Sequence, residues 1–314
     1  MSLARDVRDG FAKRPRALPP KYFYDALGSR LFDAIGRLPW YRITMAETRL
    51  LGRAAPAIAR ALAGPVRAVE LGSGSGEKLA VVAAALAARG GKPDVHVVDL
   101  SATAVAASLA RLAEIPGVKA TGHRAPFERG LAAATAARRG PGECLVLFLG
   151  SNIGNFDPAG AVRLLAAVRR RLRPGDALLL GADLVKPEAE LLAAYDDPLG
   201  VTAAFNLNLL VRLNRELGAD FDVPAWCHHA AWNAKARRVE MHLVSLVRQR
   251  VRIPGAGFKA VFEPGETIHT ESSHKYRPGD VDRLVADAGF RRERRWVDTS
   301  ARFALTLCRA EEAA

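Results

Sequence analysis

A chain of 314 residues that is 49% hydrophobic and 25% charged can bury a large core, and its even mixture excludes a disordered, fibrous or membrane-embedded protein. No apolar run approaches the roughly 20 residues of a membrane helix, and residues 1–9 lack a signal-peptide core, so a cytoplasmic protein is the default expectation. The formal charge of +13 raises nucleic-acid binding, but basic residues are spread along the chain and the densest runs, residues 169–173 and 291–295, read as solvated faces; no nucleic-acid or membrane partner is expected.

Residues 1–56 read as helices and loops, with a Pro-rich turn at Leu18-Pro19-Pro20 leading into Tyr22-Phe23-Tyr24 and then Phe32, Trp40 and Tyr41. Residues 57–194 alternate buried-type strands (66–71, 95–100, 144–149, 177–180) with helical segments (79–89, 102–112, 160–171), which is the rhythm of βαβ units and a parallel sheet. Residues 195–276 break that rhythm with a helix at 202–217 and alternating segments at 239–247 and 249–253, which look like paired antiparallel strands. A helix at 278–288 and a strand at 303–308 return to the first pattern. The expected fold is α/β: a doubly wound sheet over 57–194 and 277–314, with a second, α+β part made of 1–56 and 195–276 that helps cap the active-site crevice.

Cys144, Cys227 and Cys308 are odd in number and far apart, so reduced thiols are expected rather than disulfides or zinc ligands. His228 and His229 are adjacent and diverge, with no third ligand at metal spacing, so no metal is expected.

The motif with most chemical content is Val69-Glu70-Leu71-Gly72-Ser73-Gly74-Ser75-Gly76-Glu77-Lys78, placed where a strand gives way to a helix. Glycines there let the backbone approach a ligand, and the following helix offers free N–H groups; a tight β-to-α connection is the plainer alternative. Glu77 stands where a dinucleotide fingerprint needs its last glycine, so a pyrophosphate cofactor fits poorly. Val95-His-Val-Val-Asp99 ends the next strand with an acid where α/β folds grip a ribose diol, although a helix N-cap is the alternative role for Asp99. Together these features describe an S-adenosylmethionine (SAM) site better than an NAD site.

Longer stretches carry a resemblance: Leu18-Pro-Pro-Lys-Tyr-Phe-Tyr-Asp-Ala-Leu-Gly-Ser29, Glu70-Leu-Gly-Ser-Gly74, Leu147-Phe-Leu-Gly-Ser-Asn-Ile-Gly-Asn155, Gly181-Ala-Asp-Leu-Val-Lys186, Tyr195-Asp-Asp197, Gly200-Val-Thr-Ala-Ala-Phe-Asn206 and Glu271-Ser-Ser-His-Lys-Tyr276. From Leu18 onward the chain resembles the histidine-specific methyltransferases of ergothioneine biosynthesis. The resemblance implies a class I SAM-dependent methyltransferase fold, a SAM-binding core with an added substrate-recognition domain, and threefold methylation of the histidine α-amine. It implies cofactor contacts at Tyr24, Gly72, Lys78, Asp99 and Phe127, and a substrate pocket of Tyr41, Gly150, Asn155, Tyr195, Thr202, Met241, Glu271 and Ser273, with Tyr41, Gly150 and Asn155 nearest the chemistry. Asn155 and Tyr195 would hold the substrate carboxylate, while Glu271 and Ser273 receive the imidazole N–H groups. A monomer acting on a free amino acid is the expectation.

The residue types suit that chemistry. A carboxylate can accept one imidazole N–H, and a serine two residues along a strand can serve the other nitrogen. Four departures stand out: Arg42 and Ile43 replace a Tyr and Pro common in the family, Pro126 stands where an adenine-binding Asp is usual, and Asn152 where Thr is frequent. Competing readings are a methyltransferase for another amino acid or amine, a basic nucleic-acid-binding SAM protein, and a SAM-binding module without turnover.

Overall fold

The computed structural model describes residues 2–136, 138 and 140–312. In chain order the helices are α1 (Leu3–Phe11), α2 (Ala26–Ile35), α3 (Arg42–Ala61), α4 (Glu77–Ala87), α5 (Ala102–Ala113), α6 (Phe127–Ala136), α7 (Pro158–Arg169), α8 (Glu188–Tyr195), α9 (Val201–Leu217) and α10 (Pro278–Asp287). The strands are β1 (Arg16–Ala17), β2 (Val66–Leu71), β3 (Asp94–Asp99), β4 (Lys119–Arg124), β5 (Glu143–Phe148), β6 (Ala177–Asp183), β7 (Trp226–Asn233), β8 (Arg238–Ser245), β9 (Gln249–Ile253), β10 (Phe258–Phe262), β11 (Thr267–His274), β12 (Phe290–Asp298) and β13 (Phe303–Ala310). They form two compact units: a first of Met1–Arg42 with Lys186–His274, and a second of Ile43–Val185 with Lys275–Ala314.

In the second unit the Val- and Leu-rich strands build one seven-stranded sheet in the order β12-β13-β6-β5-β2-β3-β4. The five strands from β4 to β6 run parallel, and β13 and β12 close that edge antiparallel. The chain enters at the centre, runs outward through β3 and β4, then returns to β5 on the other side of β2. The C-terminal ends of β2 and β5 therefore flank the switch point at which open α/β sheets bind ligands. Val69, Leu71, Val146, Phe148, Leu178 and Leu180 on the sheet pack with Leu131, Leu165, Val281 and Phe290 into a buried core, which makes the strand ends a rigid platform.

The doubly wound sheet expected from the βαβ rhythm is present. The strand reading missed β4 and β12, because the first is half-buried and polar (Lys-Ala-Thr-Gly-His-Arg) and the second holds the arginine run. Arg291, Arg292 and Arg294 are exposed on an edge strand, where charge discourages pairing with another sheet. Helix α3 is continuous through Pro56, so the sequence boundary at 56 falls within a helix and the change of unit comes at its first turn.

The first unit holds a four-stranded sheet, β1-β11-β8-β7, and a separate two-stranded ribbon of β9 and β10. The expected pairing of 239–247 with 249–253 is not what forms. β8 lies between β7 and β11, whereas β9 pairs with β10. Turn chemistry explains the difference. Pro254-Gly-Ala-Gly257, with Gly257 at φ 59°, links β9 to β10, while Leu246-Val-Arg248 between β8 and β9 offers no turn residue. Phe11, Phe221, Trp226 and Phe262 cluster edge to face, with centroids 4.9 to 6.3 Å apart, and fill the core beneath the ribbon.

Candidate active site

In the second unit, β2 ends at Leu71 and the chain turns through Gly72, Gly74 and Gly76, all at positive φ, before α4 begins. A Cβ on Gly72 (φ 80°) would come within 3.0 Å of Asn152 Nδ2, and one on Gly76 within 2.7 Å of Ser108, so this turn admits only bare backbone at those points. Asp99 ends β3 and accepts the N–H groups of Ser101 at 2.8 Å and Gly74 at 3.4 Å. It is not the cap of α5, since Ser101 fills that place with its own hydroxyl on the Ala104 N–H. Burial pushes the Asp99 carboxyl above its usual range, a pull the N–H groups of Ser101, Gly74 and Ser73 only partly offset.

Beside the turn, the first turn of α4 presents Lys78, whose ammonium lies 2.6 Å from Glu47 Oε2. The same oxygen accepts the Gly150 N–H at 2.7 Å, drawing the turn after β5 toward α3 and α4. Gly150 and Ser151 both take left-handed conformations (φ 74° and 56°), and Ser151 Oγ receives the Asp183 N–H at 2.9 Å. Asn152 through Asn155 follow as a single 3-10 turn, with Tyr276 donating to the Ile153 carbonyl at 3.2 Å. Phe127 opens α6 with its ring 5.4 Å from that of Phe148. Gly72, Lys78, Asp99, Phe127 and Gly150 thus gather at the carboxyl ends of β2, β3 and β5, with Asn155 closing the turn that leads away from them.

The donor set fits SAM. Asp99 offers carboxylate oxygens to a ribose diol, Lys78 a cation to a carboxylate, the glycine turn its bare backbone, and Phe127 an aromatic face. Glu70, at the end of β2, is fully buried with neither oxygen hydrogen-bonded, and burial raises its pKa to about 8 despite the nearby Lys78 charge. Its carboxyl is therefore mostly protonated at neutral pH.

In the first unit the remaining candidates converge on one face of the antiparallel sheet. A bulge between His269 and Glu271 sets the phase of β11, with Thr270 Oγ1 donating to the Met241 carbonyl at 3.0 Å. Past it, Glu271 pairs in register with Met241 and Ser273 with Val239, and all four are buried. Tyr195, at the end of α8, donates its hydroxyl to Ser273 Oγ at 2.7 Å. Tyr41 meets Tyr195 edge to face at 6.1 Å, then Phe32 at 6.1 Å, and Tyr24 packs on Phe32 at 5.5 Å and Phe205 at 5.9 Å, forming a continuous aromatic wall. Thr202 is buried in the first turn of α9, its N–H taken by Asp197 at 2.7 Å. Tyr24 thus stands in the aromatic wall of the first unit.

A family profile described as histidine-specific methyltransferase, SAM-dependent, matches residues 3–310. The chain belongs to that family. The histidine N-alpha-methyltransferase of Mycobacterium tuberculosis is 45% identical over 312 residues, covering 98% of this chain and 94% of that one. The enzyme of the same name from Mycolicibacterium smegmatis is 42% identical, with the same coverage of each chain. Ergothioneine biosynthesis protein 1 of Neurospora crassa is 28% identical over 90% of this chain but only 32% of its own length. Membership of the histidine-specific methyltransferases makes the cofactor SAM and the fold that of class I methyltransferases, in agreement with the sheet order.

Three residues of this methyltransferase were given no role in the site by sequence reasoning. Glu47 lies in a helix with nothing in its spacing to mark it, and its partners are 31 and 103 positions away. His228 donates from Nε2 to the Tyr195 carbonyl and takes Asn206 Nδ2 on Nδ1, each at 2.8 Å, while burial holds its pKa below the usual value. It is a neutral brace behind Tyr195. Asp197 caps α9 through the N–H groups of Thr202, Val201 and Leu199, which together outweigh burial and lower its pKa. Among the described residues no group of three or more His, Cys, Asp and Glu could hold a metal ion, and no helix is long and apolar enough to cross a membrane. The departure at Arg42 is a half-exposed contact with Glu190 at 3.3 Å, of the kind that contributes little.

Proposed function

We propose that the chain methylates the α-amine of L-histidine three times, giving the trimethylated betaine hercynine of ergothioneine biosynthesis. One observation carries the substrate assignment: the β11 bulge puts a buried carboxylate, Glu271, and a buried hydroxyl, Ser273, two residues apart on the face that also holds Met241 and Tyr195. Tyr195 donates to Ser273 Oγ and so orients that hydroxyl. A neutral imidazole meets both demands, donating one N–H to Glu271 and accepting from Ser273 with its other nitrogen. An apolar side chain of similar size would return no hydrogen bond for the desolvation of that carboxylate, which is the strong form of discrimination.

When bound, SAM supplies an electrophilic sulfonium methyl for in-line displacement. The chain's task is to orient a neutral amine, since orientation provides much of the acceleration in such a transfer. We assign Gly72, Lys78, Asp99 and Phe127 to the cofactor, with Tyr24 and Tyr41 as aromatic contacts. Gly150 and Asn155 serve the carboxylate and amine end of the substrate. Tyr195 is read as the residue that orients Ser273, because its single proton is already given. Each methylation removes one amine N–H, so anchoring through the carboxylate and imidazole suits three successive rounds.

We also read the protein as a cytoplasmic monomer with SAM-binding and substrate-recognition units. Three free cysteines support the reducing compartment, and light scattering on the eluting protein tests the monomer. The function is tested by mass spectrometry after incubation with SAM and an equimolar mixture of the standard amino acids. Histidine alone is expected to gain one, two and three methyl groups; methylation of another amino acid in preference to histidine contradicts the assignment.

A further inference from the structure

We propose that Glu47 is a positioning residue for methyl transfer, one carboxylate that sets both the Lys78 ammonium and the Gly150 backbone. The inference rests on the reading above, in which Lys78 serves the cofactor and Gly150 the acceptor end of the substrate. Glu47 is wholly buried on α3, where an apolar side chain would fill the space without the cost of desolvating a charge. Its Oε2 takes both donors, from Lys78 at 2.6 Å and Gly150 at 2.7 Å, so the two cannot move apart without breaking a charge-assisted hydrogen bond.

Two further features are built around this carboxylate. β6 reads Ala-Leu-Leu-Leu-Gly-Ala-Asp, and a Cβ at its glycine, Gly181, would run into Glu47 Oε1. A glycine inside a buried strand is unfavourable unless something must approach it closely, and here that is the carboxylate. The turn that Glu47 holds also needs holding. Gly150 and Ser151 are consecutive left-handed residues, and Ser151 has a side chain that disfavours the conformation. Glu47 fixes the turn from one side through the Gly150 N–H, and the Asp183 N–H fixes it from the other through Ser151 Oγ.

The test is a double-mutant cycle of Glu47→Gln, Lys78→Met and the pair, read by calorimetric binding of S-adenosylhomocysteine, by kcat and KM for histidine, and by thermal melting to confirm folding. Loss of one charge-assisted contact predicts that Glu47→Gln lowers both S-adenosylhomocysteine affinity and kcat by about tenfold or more. Because Glu47 acts on the cofactor through Lys78, the double variant is expected to bind within about twofold of Lys78→Met alone. Additive losses, or a folded Glu47→Gln with wild-type affinity and kcat, would overturn the inference. If Glu47→Gln does not fold, Glu47→Asp keeps the charge but is too short to reach both partners; it is expected to lose about tenfold in kcat, and a wild-type kcat overturns the inference just as well. A different failure is recognisable: Lys78→Met with unchanged S-adenosylhomocysteine affinity would remove Lys78 from the cofactor site and refute the reading on which the inference stands.

Discussion

The unit of residues 43–185 and 275–314 does its work largely through backbone, whereas the unit of residues 1–42 and 186–274 does its work through side chains. In the former, three glycines at positive φ and the N-terminus of α4 shape the turn proposed to hold the cofactor, and one strand-ending acid completes it. In the latter, Tyr41, Tyr195, Met241, Glu271 and Ser273 come from segments spread over more than 200 positions, with a bulge setting the phase of β11. Backbone devices tolerate changes in what surrounds them and fail abruptly when a side chain is added. Side-chain devices fail by degrees, one contact at a time.

The largest effect should come from breaking the backbone device. Gly72→Val must place a β-branched residue at φ 80° with its Cβ about 3.0 Å from Asn152; S-adenosylhomocysteine affinity measured by calorimetry should fall about 100-fold or more, with the melting temperature lowered by several degrees but the chain still folded. Wild-type affinity would show that the turn does not approach the cofactor. On the side-chain face, Tyr195→Phe removes only the hydroxyl bound to Ser273. It should lower kcat/KM for histidine about tenfold and leave S-adenosylhomocysteine affinity intact, and a parallel loss of both would erase the contrast between the units.

The smallest effect concerns Glu70. Its folded pKa of about 8 lies above the ordinary 4.5, so the folded chain binds the extra proton between those values. The stability that follows from keeping this carboxyl neutral is complete at low pH and is lost as pH rises from 4.5 toward 8. Glu70→Gln should remove that loss, raising the melting temperature by several degrees at pH 8 relative to wild type and much less at pH 5. A shift equal at both pH values would mean that Glu70 is not titrating in the folded protein.

The same contrast governs what was legible in the amino-acid sequence. The glycine turn, Asp99 and the parallel strands announce themselves within a few residues, because turn geometry and strand burial are local demands. β4 and β12 escaped because polar or charged side chains occupy sheet edges, where burial leaves no periodic mark. The pairing of β8 could not be read from its neighbour β9, since the partner is set by turn chemistry at 254–257 and by a strand more than 20 residues further on. The bulge at Thr270 leaves no signature either, so Glu271 and Ser273 were reached by resemblance and not by spacing. Glu47 and His228 act on partners 22 to 103 residues away, a distance at which sequence alone conveys nothing of contact.

The most direct test of the central claim is calorimetric titration of histidine into protein saturated with S-adenosylhomocysteine, for wild type and for Glu271→Gln. If the buried carboxylate reads the imidazole, the variant should retain the cofactor product and lose about tenfold or more in histidine affinity, as expected when a charged acceptor is replaced by a neutral amide. Histidine binding that is equally tight in both proteins would contradict the account.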